Sequence, residues 1–371
     1  MRIPLARRSL KAVALRPQRV LALYAPPVRI LERLDELYAI GGGPGANRPH
    51  GSAAEDEAHR LAASWLEEAG LEVEVDRHGN LFGHVPGSGP GSGPGPRPVW
   101  TGSHLDTVPR GGRFDGALGV VAAIEAVERI GAGSVVAFRG EEVGCIGSRA
   151  LVAAGGSLPQ VFLELHIEQG PVLADADVPL GVVTGIVGYA RGEIVIEGRA
   201  GHAGTTPMVG RDDALVAAAG EIQRVRDAAL AIPGTVATIG KLEVEPGGAN
   251  VIPSRVWMSL DVRAPDLDRL DALIETIGFE PGYRVGPAQF GGSARQALRD
   301  AIASRDLPLV ELASGAGHDA GILASAGVDA AMLFVRSLNG GISHSPDELS
   351  SDEDVALAVD VLADALAATT R

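Results

Sequence analysis

From Pro98 onward the chain alternates short apolar runs with longer helical ones, and this alternation limits the possible fold more than any other feature. Pro98–Gly102, Ser134–Phe138 and Val161–Leu165 read as strands, with helices at Gly116–Ile130 and near Ser148–Ala154 between them. Strand and helix in turn predict an α/β sheet covered by helices. Between about Gly185 and Gly286 the order changes to a strand at Glu193–Glu197, a helix at Asp212–Leu230, strands at Thr235–Val244 and Arg255–Arg263, and a helix at Leu267–Ile277. That is most of the split β-α-β arrangement of a ferredoxin-like α+β unit. The earlier pattern then resumes with a helix at Ala294–Ser304, strands at Leu307–Leu312 and Ala330–Phe334, and an amphipathic helix at Asp352–Ala368. The expectation is an α/β catalytic domain with a central mixed sheet, residues 1–184 and 287–371, interrupted by a smaller inserted domain at 185–286.

The first part carries helices over residues 27–70, closed by Gly70, and strands at Leu71–Val75 and Leu81–His84. Pro86–Pro96 is wholly Gly, Pro and Ser, which predicts a surface loop. Residues 1–26 form a basic extension. Arg7-Arg8-Ser9-Leu10-Lys11 is similar to a twin-arginine export signal, but Arg16, Gln18 and Arg19 break the apolar run that should follow, so an extension or a misassigned start is preferred. A hydrophobic content of 46% over 371 residues suffices for a packed core. The formal net charge of -15 argues against a nucleic-acid surface and favours small-molecule ligands. Cys145 is the single cysteine, so no intrachain disulfide forms and a reducing cytoplasm fits.

Four segments place imidazole and carboxylate groups where chemistry can use them. In Gly102-Ser-His104-Leu-Asp106-Thr107, His104 follows a strand, and open α/β sheets place ligand sites at the carboxyl ends of strands. Asp106 could accept a hydrogen bond from the far imidazole nitrogen and so fix the tautomer. Asp115 sits where the next helix begins; taken alone, it reads equally well as a helix cap, and His104 as a turn histidine. Glu141 and Glu142 close the strand Ser134–Phe138; a solvated acidic turn is the plain reading, whereas the chemical one has one carboxylate bind metal while the other takes a proton from water. His166 ends an apolar strand, and His344 lies in the loop Ile342–Glu348 before the last helix. Each histidine alone reads as structural, but four such coincidences suit two divalent ions such as Zn or Mn about 3.5–4 Å apart.

These segments resemble the hydantoinase/carbamoylase branch of the dinuclear-metal amidohydrolases and metallopeptidases, which includes N-carbamoyl-L-amino-acid hydrolases, ureidopropionases and allantoate amidohydrolases. The resemblance runs from about Arg29 to the C-terminus, through Gly102–Asp106, Gly111–Gly116, Leu165–Pro171, Gly201-His-Ala-Gly-Thr-Thr-Pro207-Met208, Asn250–Pro253, Ser314–Ala320 and Ser343–Pro346. It implies that Asp115 bridges two ions, with His104, Glu142, His166 and His344 completing the ligand set and the assignment to each ion open. The ions would be Zn or Mn, with Co or Ni as further options. Glu141 would be the general base, with Asp106 in support; His202 would stabilise the oxyanion, from the opposite subunit of a homodimer. Arg263 would clamp the substrate carboxylate, and Gln169 and Asn250 would orient the substrate. His318, with Asp319 beside it in a Gly-rich turn, is a further binding candidate, for substrate, for support of the metal ligands or only for its own loop.

The chain departs from this pattern between Glu142 and Gly147, where only Val-Gly-Cys-Ile stands in place of a longer loop. Cys145 reads as a small packed hydrophobe, and His50, His59, His78 and His84 as surface residues. The leading expectation is metal-dependent hydrolysis of an N-carbamoyl-L-amino acid or related ureide. The alternatives are allantoate, an N-acyl amino acid or a dipeptide as substrate, and, outside enzymes, a non-catalytic dimeric binding protein. Neither nucleic acid nor membrane is expected as a partner.

Overall fold

The computed structural model describes residues 28–87 and 98–370. The basic extension and most of the Gly/Pro/Ser loop lie outside these residues. The chain begins with α1 (Val28–Ala39), α2 (Ala53–Glu68), β1 (Glu72–Val75) and β2 (Leu81–His84). β3 (Val99–His104), α3 (Ala117–Ile130), β4 (Ser134–Phe138), α4 (Ile146–Ala153) and β5 (Val161–Ile167) follow, then α5 (Val172–Asp175) and β6 (Leu180–Ile186). A second sheet starts at β7 (Gly188–Glu197), with β8 (Gly201–His202), α6 (Ala214–Ala231), β9 (Val236–Thr238) and β10 (Leu242–Glu245) after it. β11 (Val251–Ile252), β12 (Arg255–Ala264), α7 (Leu267–Ile277) and β13 (Tyr283–Val285) complete that part. The last part runs β14 (Ala288–Gln289), α8 (Gly292–Ala303), β15 (Glu311–Ser314), α9 (Asp319–Ser325), β16 (Asp329–Val335) and α10 (Asp352–Thr369).

The fold is mixed α/β about a nine-stranded sheet in the order β1-β2-β4-β3-β5-β16-β6-β14, with β15 paired to β6. Its centre, β4-β3-β5-β16, is parallel, and antiparallel strands flank it. Alternation along β5 and β16 sends Leu163, Leu165, Leu333 and Val335 into a layer shared with α3, α8 and α10. Phe162, Met332 and Phe334 enter the opposite layer with Leu151 and Leu323. Burying a side chain of this size contributes about 1.5–3 kcal/mol, so the two layers fix the order of the parallel strands. Their carboxyl ends therefore come together on one edge. Ser52, Asp213, Asp266 and Ser351 cap α2, α6, α7 and α10 by accepting main-chain N–H groups, as short polar side chains at helix starts do.

The second sheet is antiparallel in the order β10-β12-β7-β13, with β9 paired to β12. Leu260 and Val262 of β12 and Ala190 of β7 pack against Leu270, Leu273 and Val225 of α7 and α6. The alternate positions of these strands, Tyr189, Arg191, Asp261 and Arg263, are consequently left on the other face.

The structure departs from the sequence reading in several places. Thr235–Val244 is two strands, β9 and β10, because Ile239–Lys241 leaves the ladder, where the Ser259 side chain and main chain bond Lys241. The strand expected at Leu307–Leu312 starts only at Glu311, since Pro308 has no N–H to give a sheet. β6, β8, β11, β13, β14, α5 and α9 were not anticipated; most are short or lack clean alternation. His59 and His84 are not surface residues but are 6% and 4% exposed: His59 lies on the packed face of α2, and β2, between β1 and β4, is buried at all four positions. No helix of the described residues is long and apolar enough to cross a membrane.

Candidate metal centre

His104 is the last residue of β3, and His166 lies between Leu165 and Ile167 of β5, so that its ring leaves the helical layer those two enter. Gly116, at φ +64, makes room for His104, because a Cβ there would stand 2.4 Å from the imidazole. Glu141 and Glu142 lie in the turn between β4 and α4, and His344 in the loop between β16 and α10. Arg48, buried, holds the loop after β3 by donating to the Leu105 and Leu37 carbonyls at 2.8 and 2.7 Å.

The two oxygens of Asp115 face different histidines. Oδ1 is 3.6 Å from His104 Nε2 and 3.2 Å from His166 Nε2, whereas Oδ2 is 3.4 Å from His344 Nε2. His344 Nε2 is in turn 3.3 Å from Glu142 Oε2. Two groups able to hold an ion result, His104/Asp115/His166 and Asp115/Glu142/His344, sharing Asp115. A third, Glu164/His166/His318, lies behind them.

The far sides of the rings are anchored. His104 Nδ1 is 3.0 Å from the Asp106 carbonyl and His166 Nδ1 is 2.9 Å from the Ile167 carbonyl. A carbonyl only accepts, so Nδ1 carries the proton and the neutral ring presents the Nε2 lone pair to the centre. The Asp106 carboxylate, expected to hold His104, is 3.4 Å from that Nδ1 and instead accepts the main-chain N–H groups of Glu141 and Glu142. The buried Nε2 atoms of His104 and His166 have no hydrogen-bond partner, which is costly in a protein interior. Nitrogen and carboxylate donors converging around such orphaned atoms fit divalent ions of the Zn or Mn type.

Charge in the site points the same way. Burial opposes protonation of His104, yet the carboxylates of Glu141, Asp106 and Asp115 hold its pKa well above the ordinary value. Hydrogen bonds to the Asp115 and Glu142 carboxylates push His344 up to about 10. Burial pulls Asp115 upward, but His104, His166 and His344 outweigh it and hold the carboxyl well down. Burial raises Glu141 well above the usual carboxylate range, with the fields of Asp319 and Glu142 adding to it. Excess negative charge thus retains protons where cations would sit.

A cavity of about 690 Å³ opens over the centre, lined by Asp115, Glu141, Glu142, His166 and His344 on one side and Tyr189, Arg191, Arg263 and Tyr283 on the other. Gln169 and His318 also line it. The Gln169 amide donates to Asp115 Oδ2 at 2.9 Å, so in this conformation it holds a ligand carboxylate. His318 Nδ1 stands 3.7 Å from Glu141 Oε1, and its Nε2 is 3.0 Å from Ser314 Oγ. Arg263 binds Asp261 at 2.9 Å and the Gly315 carbonyl at 2.6 Å. His202 and Asn250 are not brought to the cavity; they are exposed on the ribbon β8/β11, where the Gly204 N–H donates to His202 Nδ1 at 3.1 Å. Cys145 is buried on the cavity wall, with its thiol pushed up by burial.

One supporting residue escaped the sequence reading. Glu348 accepts the N–H groups of Phe114 and Asp115 and the Ser343 hydroxyl, at 2.8, 3.1 and 2.8 Å. Its place four residues after His344 was the only signal. Asp319 is fully buried against Ser148 at 2.6 Å, and burial together with Glu164 raises its carboxyl to about 8.

Comparison with known proteins returned the model of peptidase family M20/M25/M40 over residues 100–368. The N-carbamoyl-L-amino acid amidohydrolase of Geobacillus stearothermophilus is 37% identical over 90% of this chain and 96% of its own length. The allantoate amidohydrolase of Bacillus subtilis (strain 168) is 32% identical over 80% of this chain and 86% of its own. A crystal structure of a hydantoinase/carbamoylase family amidase from Burkholderia multivorans superposes with a TM-score of 0.84 at 30% identity, over 92% of this chain and 97% of that one.

Proposed function

The chain belongs to peptidase family M20/M25/M40, among the hydantoinase/carbamoylase amidohydrolases, and from that premise we propose that it hydrolyses the carbamoyl C–N bond of an N-carbamoyl-L-amino acid or a related ureide. The observation that carries this reading is Asp115 set between two donor groups, with the free carboxylate of Glu141 beside them in one cavity. His104 and His166 would hold one divalent ion and Glu142 and His344 the other, with Asp115 between; Zn or Mn suit these donors, Co and Ni less specifically. Such ions, when bound, lower the pKa of water and polarise a carbonyl.

Glu141 takes the proton of the attacking water and returns it to the leaving nitrogen. Its carboxylate lines the cavity beside the two donor groups, where a positioned base can take a proton and return it. Asp106 holds the Glu141 and Glu142 backbone in place through its two N–H bonds. Arg263 takes the substrate carboxylate, and Gln169 and His318 bound the reacting end. The amino acid leaves, and the carbamate released decomposes to ammonia and carbon dioxide.

We read residues 185–286 as a lid and dimerisation unit. His202 and Asn250 lie away from the cavity of their own chain, which supports their reaching the site by lid closure or from a second subunit of a homodimer. With Nδ1 accepting from Gly204, the outward Nε2–H of His202 is free to donate to an oxyanion. One cysteine in the chain accords with a reducing cytoplasm. Similarity to allantoate amidohydrolases keeps allantoate as the second substrate to test.

The test is ammonia release from N-carbamoyl amino acids, allantoate and N-acetyl amino acids after metal is stripped and Mn, Zn, Co or Ni restored. Metal-dependent release from ureides, lost in Glu141→Gln, supports the reading. Cleavage of N-acetyl substrates alone overturns it in favour of an acylase.

A further inference from the structure

Opposite the metal centre, the cavity wall is cationic in an otherwise acidic chain. Arg191 and Arg263 project from adjacent strands of the second sheet and share one carboxylate, with Asp261 Oδ2 at 2.8 Å from Arg191 Nε and Oδ1 at 2.9 Å from Arg263 Nε. Two guanidinium groups thus stand against one carboxylate on this wall, leaving one positive charge in excess.

The two arginines of the sheet are not equivalent. Arg263 is engaged by Asp261 and by the Gly315 carbonyl. Arg191 is held through Nε alone, and among the described residues neither of its terminal nitrogens has a hydrogen-bond partner. Its side chain is 56% exposed and lines the cavity, so a planar two-point fork is presented to the ligand space. The Tyr189 ring, 5.2 Å from the Arg191 guanidinium, fixes its plane, and Tyr283, 5.8 Å from Tyr189, closes the side of the pocket.

We propose that Arg191 is a specificity-determining residue that reads the substrate side chain, and that the site prefers N-carbamoyl amino acids whose side chain ends in a carboxylate. Arg263 takes the α-carboxylate, and the Arg191 fork takes the distal one. This inference rests on the functional reading above and adds the class of side chain to it.

The experiment compares kcat/KM of the metal-loaded enzyme for N-carbamoyl-L-glutamate and N-carbamoyl-L-methionine, which are alike in reach and differ in charge. The wild type is expected to favour the glutamate derivative. Arg191→Gln should lower the glutamate-to-methionine ratio by about tenfold or more, mainly through KM, as loss of a charged hydrogen bond made in the ground state does. Arg191→Lys should keep part of the preference, because it retains the charge without the fork. Turnover of both substrates with no acidic preference, or an unchanged ratio in Arg191→Gln, overturns the inference alone. Turnover of neither overturns the inference, and where allantoate also releases no ammonia the functional reading falls with it.

Discussion

The Asp106 carboxylate spans two consecutive residues of another segment, accepting the N–H of Glu141 at 3.1 Å and that of Glu142 at 3.2 Å. One side chain therefore sets the position of both the candidate base and a candidate metal ligand. Replacing Asp106 by Asn leaves only one oxygen to accept, so one N–H loses its partner. We expect Asp106→Asn to lower kcat about 10–100-fold while the folded chain persists, as changes to residues that orient ligands commonly do. Steady-state kinetics with parallel circular dichroism would check this; wild-type kcat in the variant would remove Asp106 from the machinery.

Metal content should follow the partition at Asp115. His344→Ala removes a donor from the Asp115/Glu142 group alone and should leave one ion per chain, whereas Asp115→Ala should lose both. Elemental analysis of the purified variants reads this directly. Loss of both ions in His344→Ala would contradict the assignment.

Metal affinity should rise with pH. An imidazole must be neutral to ligate, and His344, at about 10 in the metal-free chain, must release a proton first. Each step down in pH strengthens the proton as competitor, so the apparent dissociation constant should increase as pH falls. Titration calorimetry in buffers of different ionisation enthalpy should report protons released on binding; a pH-independent affinity would exclude this linkage.

Gly116→Ala tests the space beside His104. At φ +64 and ψ -50 an L side chain is strained by about 1–3 kcal/mol, and its Cβ would meet the imidazole at 2.4 Å. We expect a lower melting temperature together with weakened metal retention. A variant with unaltered metal content would show that the ring has room to move.

A separate pH effect arises at His84, buried beside Ser134, where burial lowers its pKa below the ordinary value. The unfolded chain, with an imidazole pKa near about 6.5, then binds more protons than the folded one just below that pH. Stability should fall as pH drops through about 6.5, and less steeply in His84→Gln, whose amide can still reach Ser134. Thermal melts of the two metal-free chains between pH 8 and 5 would check it; parallel slopes would remove His84 from the acid response.

The periodicity of the chain carried much of the architecture. β2, β4 and α7 have the bounds read from sequence, because each is a self-contained apolar pattern with its own terminator. The pattern failed where an element owes its existence to a neighbour: β14 is two residues long and exists only through its pairing with β6. His59 and His84 likewise look like surface residues until the packing around α2 and β2 is known.

By itself the sequence determined which residue types the centre contains and the strand ends and turns that carry His104, Asp115, Glu141, Glu142, His166 and His344, since these are local properties of short segments. Only the tertiary structure decided that His104 and His166 share one oxygen of Asp115 while His344 takes the other, that Asp106 serves the Glu141 backbone more than the His104 ring, and that Arg191, bound to Asp261 through Nε, turns its terminal nitrogens to the cavity beside an Arg263 that also holds the Gly315 carbonyl. These relations join residues far apart in the chain, and their distances follow from the strand order β4-β3-β5-β16 and the register of β7 on β12, which many weak packing contributions set together.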